Sequence, residues 1–203
     1  SSSLSGGGLA VKEKTHRLLL GAFFSYYLSF FRSPVMDRIR RLAYAAEFAA
    51  LFGLASFFII PVGPVPITLQ VLLIAFAGLF LGPRTAVLAV ILYLLAGAVG
   101  LPIFAGGKAG LGVLFGPSGG YLVGFLFLAF IAGLARKTGT VGTLVGLVAV
   151  AACHACGIIG MSLMLNKTLV QAFYMDLIFV PADLVKVLLA FLFWRMVRHR
   201  SLG

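Results

Sequence analysis

Charge is what this chain has least of. Only 10% of its 203 residues are Asp, Glu, Lys or Arg, and only five are acidic. Ordinary soluble domains carry about 25% charged residues. So few ions do not keep a folded surface in water, which excludes a typical soluble enzyme. With 62% hydrophobic residues the chain is not a disordered one either. Cysteine is nearly absent: Cys153 and Cys156 alone exclude a disulfide-built secreted domain. No Walker A loop, Rossmann glycine fingerprint or G-x-S-x-G elbow occurs, so nothing here hydrolyses ATP, and no catalytic set or cofactor is expected.

What the chain does have is apolar length. Its mean hydropathy is +1.13, and at about 20 residues per span there is room for about six membrane helices and no second large domain. Six apolar segments are separated by proline, glycine or basic residues: Leu42 to Ile60, Ile67 to Leu81, Thr85 to Leu101, Gly119 to Ala135, Val141 to Leu165 and Val170 to Val197. Several are shorter than a full span, so they cross partially or borrow flanking residues. The expected fold is an all-α membrane protein, a compact bundle of six transmembrane helices. Residues 1–35 differ. A Ser/Gly-rich start leads into Lys12, Lys14, Arg17 and a short apolar stretch, Leu18 to Phe31. This resembles a signal peptide without its A-x-A site, or an interfacial helix. Met36-Asp37-Arg38-Ile39-Arg40-Arg41 reads as a bacterial membrane-protein N-terminus, so Met36 is expected to be the natural start and residues 1–35 an extension outside the domain at 36–203.

The net charge of +11 would suggest nucleic acid in a soluble protein. Sorted by the six spans it becomes a topology signal. Arg38, Arg40, Arg41, Arg84, Arg136, Lys137, Arg195, Arg198 and Arg200 fall on one side; Lys108 and Lys167 fall on the other. The positive-inside rule makes the first side cytoplasmic, with both ends of the six-helix unit there. Two Gly/Pro-rich loops, 61–70 and 100–121, are then external. The second is too apolar for a free aqueous loop and is expected to fold back into the bundle, where irregular backbone must be buried or line a cavity.

Asp183 and Lys186 remain, three residues apart inside the last span. That spacing shares a helix face. Charges at such depth are costly and usually face a cavity or a partner. Together they offer an acceptor and a donor, which suits the N–H and C=O of a ureido or amide group; a structural ion pair is the alternative. Pro181 beside them is expected to kink the helix. Asp176 is expected to be interfacial and solvated. Thr68, Gln70, Ser118 and Tyr121 point polar groups toward the external half, and Phe57, Phe58, Phe104 and Phe115 are candidates for an apolar lining. Glu47 is given no site role. Cys153-His154-Ala155-Cys156 has half the spacing of a thiolate site, but no second pair accompanies it and His154 points away from the cysteine face; no metal is expected. In the first segment Ala45, Ala49 and Gly53, with Ala46 and Ala50 beside them, form small-xxx-small stripes that let another helix approach closely.

In chain order, Pro61-Val-Gly-Pro-Val-Pro-Ile-Thr-Leu-Gln70, Gly100-Leu-Pro-Ile-Phe-Ala-Gly-Gly107, Gly116-Pro-Ser-Gly-Gly-Tyr121 and Asp183-x-x-Lys186 closely resemble the BioY family. Those proteins are the biotin-binding S components of energy-coupling factor (ECF) transporters. Ser118 stands where the family usually has Thr and keeps the hydroxyl. The resemblance implies the ECF S-component fold and biotin capture near the extracellular face of the cytoplasmic membrane. It implies that Asp183, Lys186, Gly106, Gly107, Phe104, Thr68, Gln70, Tyr121 and Ser118 surround the ligand, with Gly106 and Gly107 closing over it. Lys108 and backbone N–H groups are candidates for holding the valerate, a point the sequence leaves open. Docking through Ala45, Ala49 and Gly53 onto a T component driven by two ATPase subunits would carry biotin inward by reorientation. The alternatives are an S component for another vitamin, or an integral membrane enzyme using Asp183 and Lys186 as acid and base.

Overall fold

The computed structural model describes residues 34–136 and 141–200. The expected extension therefore lies, but for its last two residues, outside the described residues, as does Lys137 of the cytoplasmic tally. The chain divides into two units, Ser1–Arg41 and Leu42–Gly203. Of the first, the described part is the start of helix α1 (Pro34–Ala55), which runs across the boundary. Helix α1 thus begins at Pro34, just before Met36.

The second unit continues α1 and adds strands β1 (Ile59–Ile60) and β2 (Ile67–Thr68). The helices α2 (Gln70–Leu81), α3 (Pro83–Ala98), α4 (Leu111–Leu114), α5 (Gly119–Ala135), α6 (Gly142–Met164), α7 (Leu169–Asp176) and α8 (Val180–Arg200) follow. The helical expectation holds, and α5 coincides with its segment. The departures are local. The two strands pair antiparallel, Ile59 with Thr68 and Ile60 with Ile67, and close the proline-rich loop between them. Among the described residues, α6 is long and apolar enough to cross a membrane; α7 with α8 passes the same test as one span bent by 55°. Helix α2 has 12 residues, about 18 Å at 1.5 Å each, short of the ~30 Å hydrocarbon core.

The sixth segment is not one helix. It breaks after Asp176 and resumes at Val180, with Pro181 in the new first turn, where its missing N–H costs nothing. Helix α7 starts at a capping box: Thr168 Oγ1 accepts from Gln171 N–H at 3.2 Å, and Thr168 N–H donates to Gln171 Oε1 at 3.1 Å.

Helix α5 packs against α2, α3 and α6, and glycine permits the approach. A Cβ on Gly160 of α6 would come within 2.6 Å of Gly120 Cα, and one on Gly133 within 2.5 Å of Pro83 Cα. The small residues therefore bring backbones together inside this chain. Helix α1 joins through side chains. Phe48 sits 6.2 Å from Phe80 and 6.3 Å from Phe76, and Phe52 meets Tyr93 edge-on at 6.2 Å.

This orientation of α1 corrects the docking expectation. Ala45 and Gly53 are buried and Ala49 half-buried; a Cβ on Gly53 would already press on Ile103 at 3.3 Å. The bulky Phe48 and Phe52 share that face and drive it inward. The neighbouring stripe, Ala46 and Ala50, is the exposed one.

Candidate functional site

A cavity of about 190 Å³ opens within the second unit, several times the ~30 Å³ of one water. Four stretches build it. The proline loop and the start of α2 supply Pro64, Val65, Pro66, Ile67, Thr68 and Gln70. The 100–118 loop folds back as expected and supplies Phe104, Lys108, Val113 and Ser118. Helix α5 gives Tyr121, Leu122 and Phe125; the α7–α8 break gives Phe179 and Asp183. The wall is apolar except at these few polar groups, the usual composition of a small-molecule site.

The loop geometry explains which residues reach the wall. Gly106 and Gly107 both have positive φ, at 73° and 74°, a conformation glycine adopts without strain. They form a tight turn in which Phe104 N–H donates to Lys108 C=O at 2.9 Å and Gly107 N–H to Phe104 C=O at 2.9 Å. Ser56, buried after α1, ties the turn down by accepting Gly106 N–H on its carbonyl at 3.1 Å. The turn sends Phe104, Ala105 and Lys108 to the cavity. Gly106 and Gly107 do not line it, so their role is to shape the loop, contrary to the expected contact. Phe104 is fully buried, while Phe57, Phe58 and Phe115 stay exposed and are not part of this wall.

Gln70 reaches the wall with its amide committed. Its Nε2 donates to Tyr93 Oη at 2.6 Å and to Phe52 C=O at 3.2 Å, and its Oε1 accepts from Thr68 Oγ1 at 3.2 Å. It therefore holds this part of the wall in place. Ser118 precedes α5 without capping it through its side chain, so its hydroxyl is open to a ligand.

Asp183 lies in the first turn of α8 and faces the cavity at 7% exposure. Lys186 Nζ donates to its Oδ1 at 2.6 Å. The pair exists as expected, but Lys186 is not part of the cavity wall. It holds the carboxylate and leaves Asp183 alone to meet a ligand. Two further residues complete the group. Asp176, expected to be solvated, is 1% exposed: the bend turns it inward, where its Oδ1 accepts Tyr121 Oη at 2.5 Å and meets His154 Nδ1 at 2.7 Å. His154 Nε2 lies 3.6 Å from Asp183 Oδ2. The cysteine motif thus contributes its histidine, across a helix interface, to a chain running Tyr121, Asp176, His154, Asp183, Lys186. Such buried charges are tolerable because they pair with one another.

Comparison with known proteins matches the same stretch of chain. The model of the BioY family covers residues 19–202. The chain belongs to the BioY family. That match takes in residues 19–35, upstream of Met36. A "Probable biotin transporter BioY" of Bacillus subtilis is 33% identical over 178 residues, covering 83% of this chain and 96% of that protein. One of Pyrococcus horikoshii is 40% identical over 99 residues, which are 49% of this chain and 61% of that protein; this alignment spans less than two thirds of the relative's length. Among solved structures, the S-component for biotin from an ECF-type ABC transporter superposes with a TM-score of 0.74 at 30% identity, covering 82% of this chain and 95% of that one. The BioY fold is therefore the fold seen here, and this structural neighbour is a transporter component.

Proposed function

We propose that this chain captures biotin outside the cell and delivers it inward as the S component of an ECF transporter. The observation that carries the reading is Asp183, an anchored carboxylate and the acidic group of a largely apolar cavity wall in a BioY fold. Biotin has a flat ureido ring with two N–H donors, an apolar thiophane and a valerate carboxylate. Asp183 accepts a ureido N–H. Phe104, Phe125 and Phe179 cover the thiophane. Lys108, the cation of the wall, meets the valerate, and Ser118 Oγ is placed to hydrogen-bond the ligand.

The surrounding assembly follows from the same reading. The unit sits in the cytoplasmic membrane with both ends inside, as its basic residues sort. The T component, driven by two ATPase subunits, docks on the exposed Ala46 and Ala50 stripe of α1, where small residues allow close helix approach. Reorientation of the unit on that surface brings the cavity to the inner face.

Binding calorimetry on the purified protein tests the ligand. Biotin is expected to bind with a saturable heat, and biotin methyl ester, which lacks the anionic end, more weakly. Lys108→Ala is expected to abolish the difference between them. A vitamin without a ureido ring binding in place of biotin would overturn the substrate assignment.

A further inference from the structure

His154 has one committed nitrogen and one that is not. Nδ1 meets Asp176 Oδ1, which also accepts the Tyr121 hydroxyl. An ionised carboxylate only accepts, so Nδ1 carries a hydrogen. Nε2 is buried, has no hydrogen-bond partner among the described residues, and lies 3.6 Å from Asp183 Oδ2. Beside an ionised Asp183, a bare Nε2 would set an acceptor lone pair against a carboxylate in a dry interior. A protonated Nε2 turns that repulsion into attraction. The charge count agrees. With both aspartates ionised, Asp176, Asp183 and Lys186 leave one uncompensated negative charge; an imidazolium makes the group neutral, the arrangement an apolar surrounding favours.

The other titratable groups of the packed elements do not change this count. Tyr121 of α5 donates and is neutral, and Cys153 and Cys156 flank His154 on α6. Tyr174 of α7 is exposed. On α8, Arg195 and Arg198 lie more than two turns beyond Lys186.

We propose that His154 is a positioning residue of the ligand site: pinned by Asp176 and Tyr121, it is an imidazolium that holds Asp183 from the side opposite Lys186. Lys186 takes Oδ1 and His154 faces Oδ2. The carboxylate is thereby kept ionised and fixed in direction, and it retains lone pairs for the N–H of a cyclic urea. The proposal rests on the biotin reading of the cavity. Because the binding form holds the extra proton, affinity falls as rising pH removes it.

The test is nitrogen NMR of ¹⁵N-histidine-labelled protein in lipid nanodiscs, without ligand, paired with biotin calorimetry from about pH 6 to pH 9. His16→Gln and His199→Gln variants assign the His154 signals. The expected result is two N–H groups on His154 at neutral pH. Biotin affinity should fall about tenfold or more as the Nε2 proton is lost. His154→Gln should bind about tenfold more weakly than wild type at neutral pH and lose the pH slope. A bare Nε2 at neutral pH, a flat wild-type profile, or wild-type affinity in His154→Gln overturns the proposal. The NMR measurement stands even where His154→Gln does not fold. Wild-type protein that binds no biotin at all overturns the substrate reading, while the NMR spectrum still decides the proton.

Discussion

Gly97 is the position where one methyl group should cost the site its ligand. It lies near the end of α3, buried under the Phe104 ring, and a Cβ there would overlap that ring, coming within 2.6 Å of Cε2. Alanine is the better helix former by about 1 kcal/mol, whereas overfilling a packed core costs about 1–3 kcal/mol. The net expected destabilisation is therefore between about zero and about 2 kcal/mol. The effect on binding follows from how the ring can yield. Tyr93 stands edge-on to Phe104 at 5.5 Å, with its hydroxyl held by Gln70 at 2.6 Å. The ring is pushed toward the cavity it lines, and biotin affinity of Gly97→Ala should drop by about tenfold or more, roughly 1.4 kcal/mol. Thermal unfolding in detergent and binding calorimetry read the two effects separately. Adding Phe104→Leu should recover much of the loss, since the smaller side chain removes the overlap. Gly97→Ala with wild-type Tm and wild-type affinity would refute this account of the cavity wall.

Asp183→Asn should weaken biotin binding by about 10–100-fold, as a charged acceptor is lost. It should also lower the Tm, because Lys186 and Asp183 are both largely buried and stripping one partner from such a pair costs about 3–5 kcal/mol. Thr168→Ala removes one half of the α7 capping box and should cost about 1 kcal/mol of stability. Its biotin affinity should stay at the wild-type value; a large loss of affinity there would mean that α7 is coupled to the cavity through more than Asp176.

The fold was legible where a signal is local. Apolar runs closed by Pro, Gly or Arg located the helices, and α5 was delimited by Ser118 and Arg136. Asp183 and Lys186 stood out because charge is rare in this chain and a three-residue spacing fixes their helical relation. Asp176 and His154 were missed because their partnership is made across helices. On one helical wheel His154 merely leaves the cysteine face, and only the 55° break turns Asp176 toward it. A proline signalled that break without giving its direction. Alanine spacing on α1 likewise revealed two adjacent stripes but not which faces inward; that choice belongs to Phe48 and Phe52, which pack on Phe76, Phe80 and Tyr93. Gly106 and Gly107 marked the right loop, yet the ligand-facing groups are their neighbours, because a double positive-φ turn displays what flanks it.

The central claim is that Asp183 receives the ureido group of biotin in the cavity between the proline loop and the α7–α8 break. A crystal structure of the protein with biotin bound tests it directly. A ureido nitrogen is expected within about 3 Å of an Asp183 carboxylate oxygen, with Lys186 still on Oδ1 and the thiophane against Phe104. Biotin seated with its ureido ring away from Asp183, or outside this cavity altogether, would contradict the account.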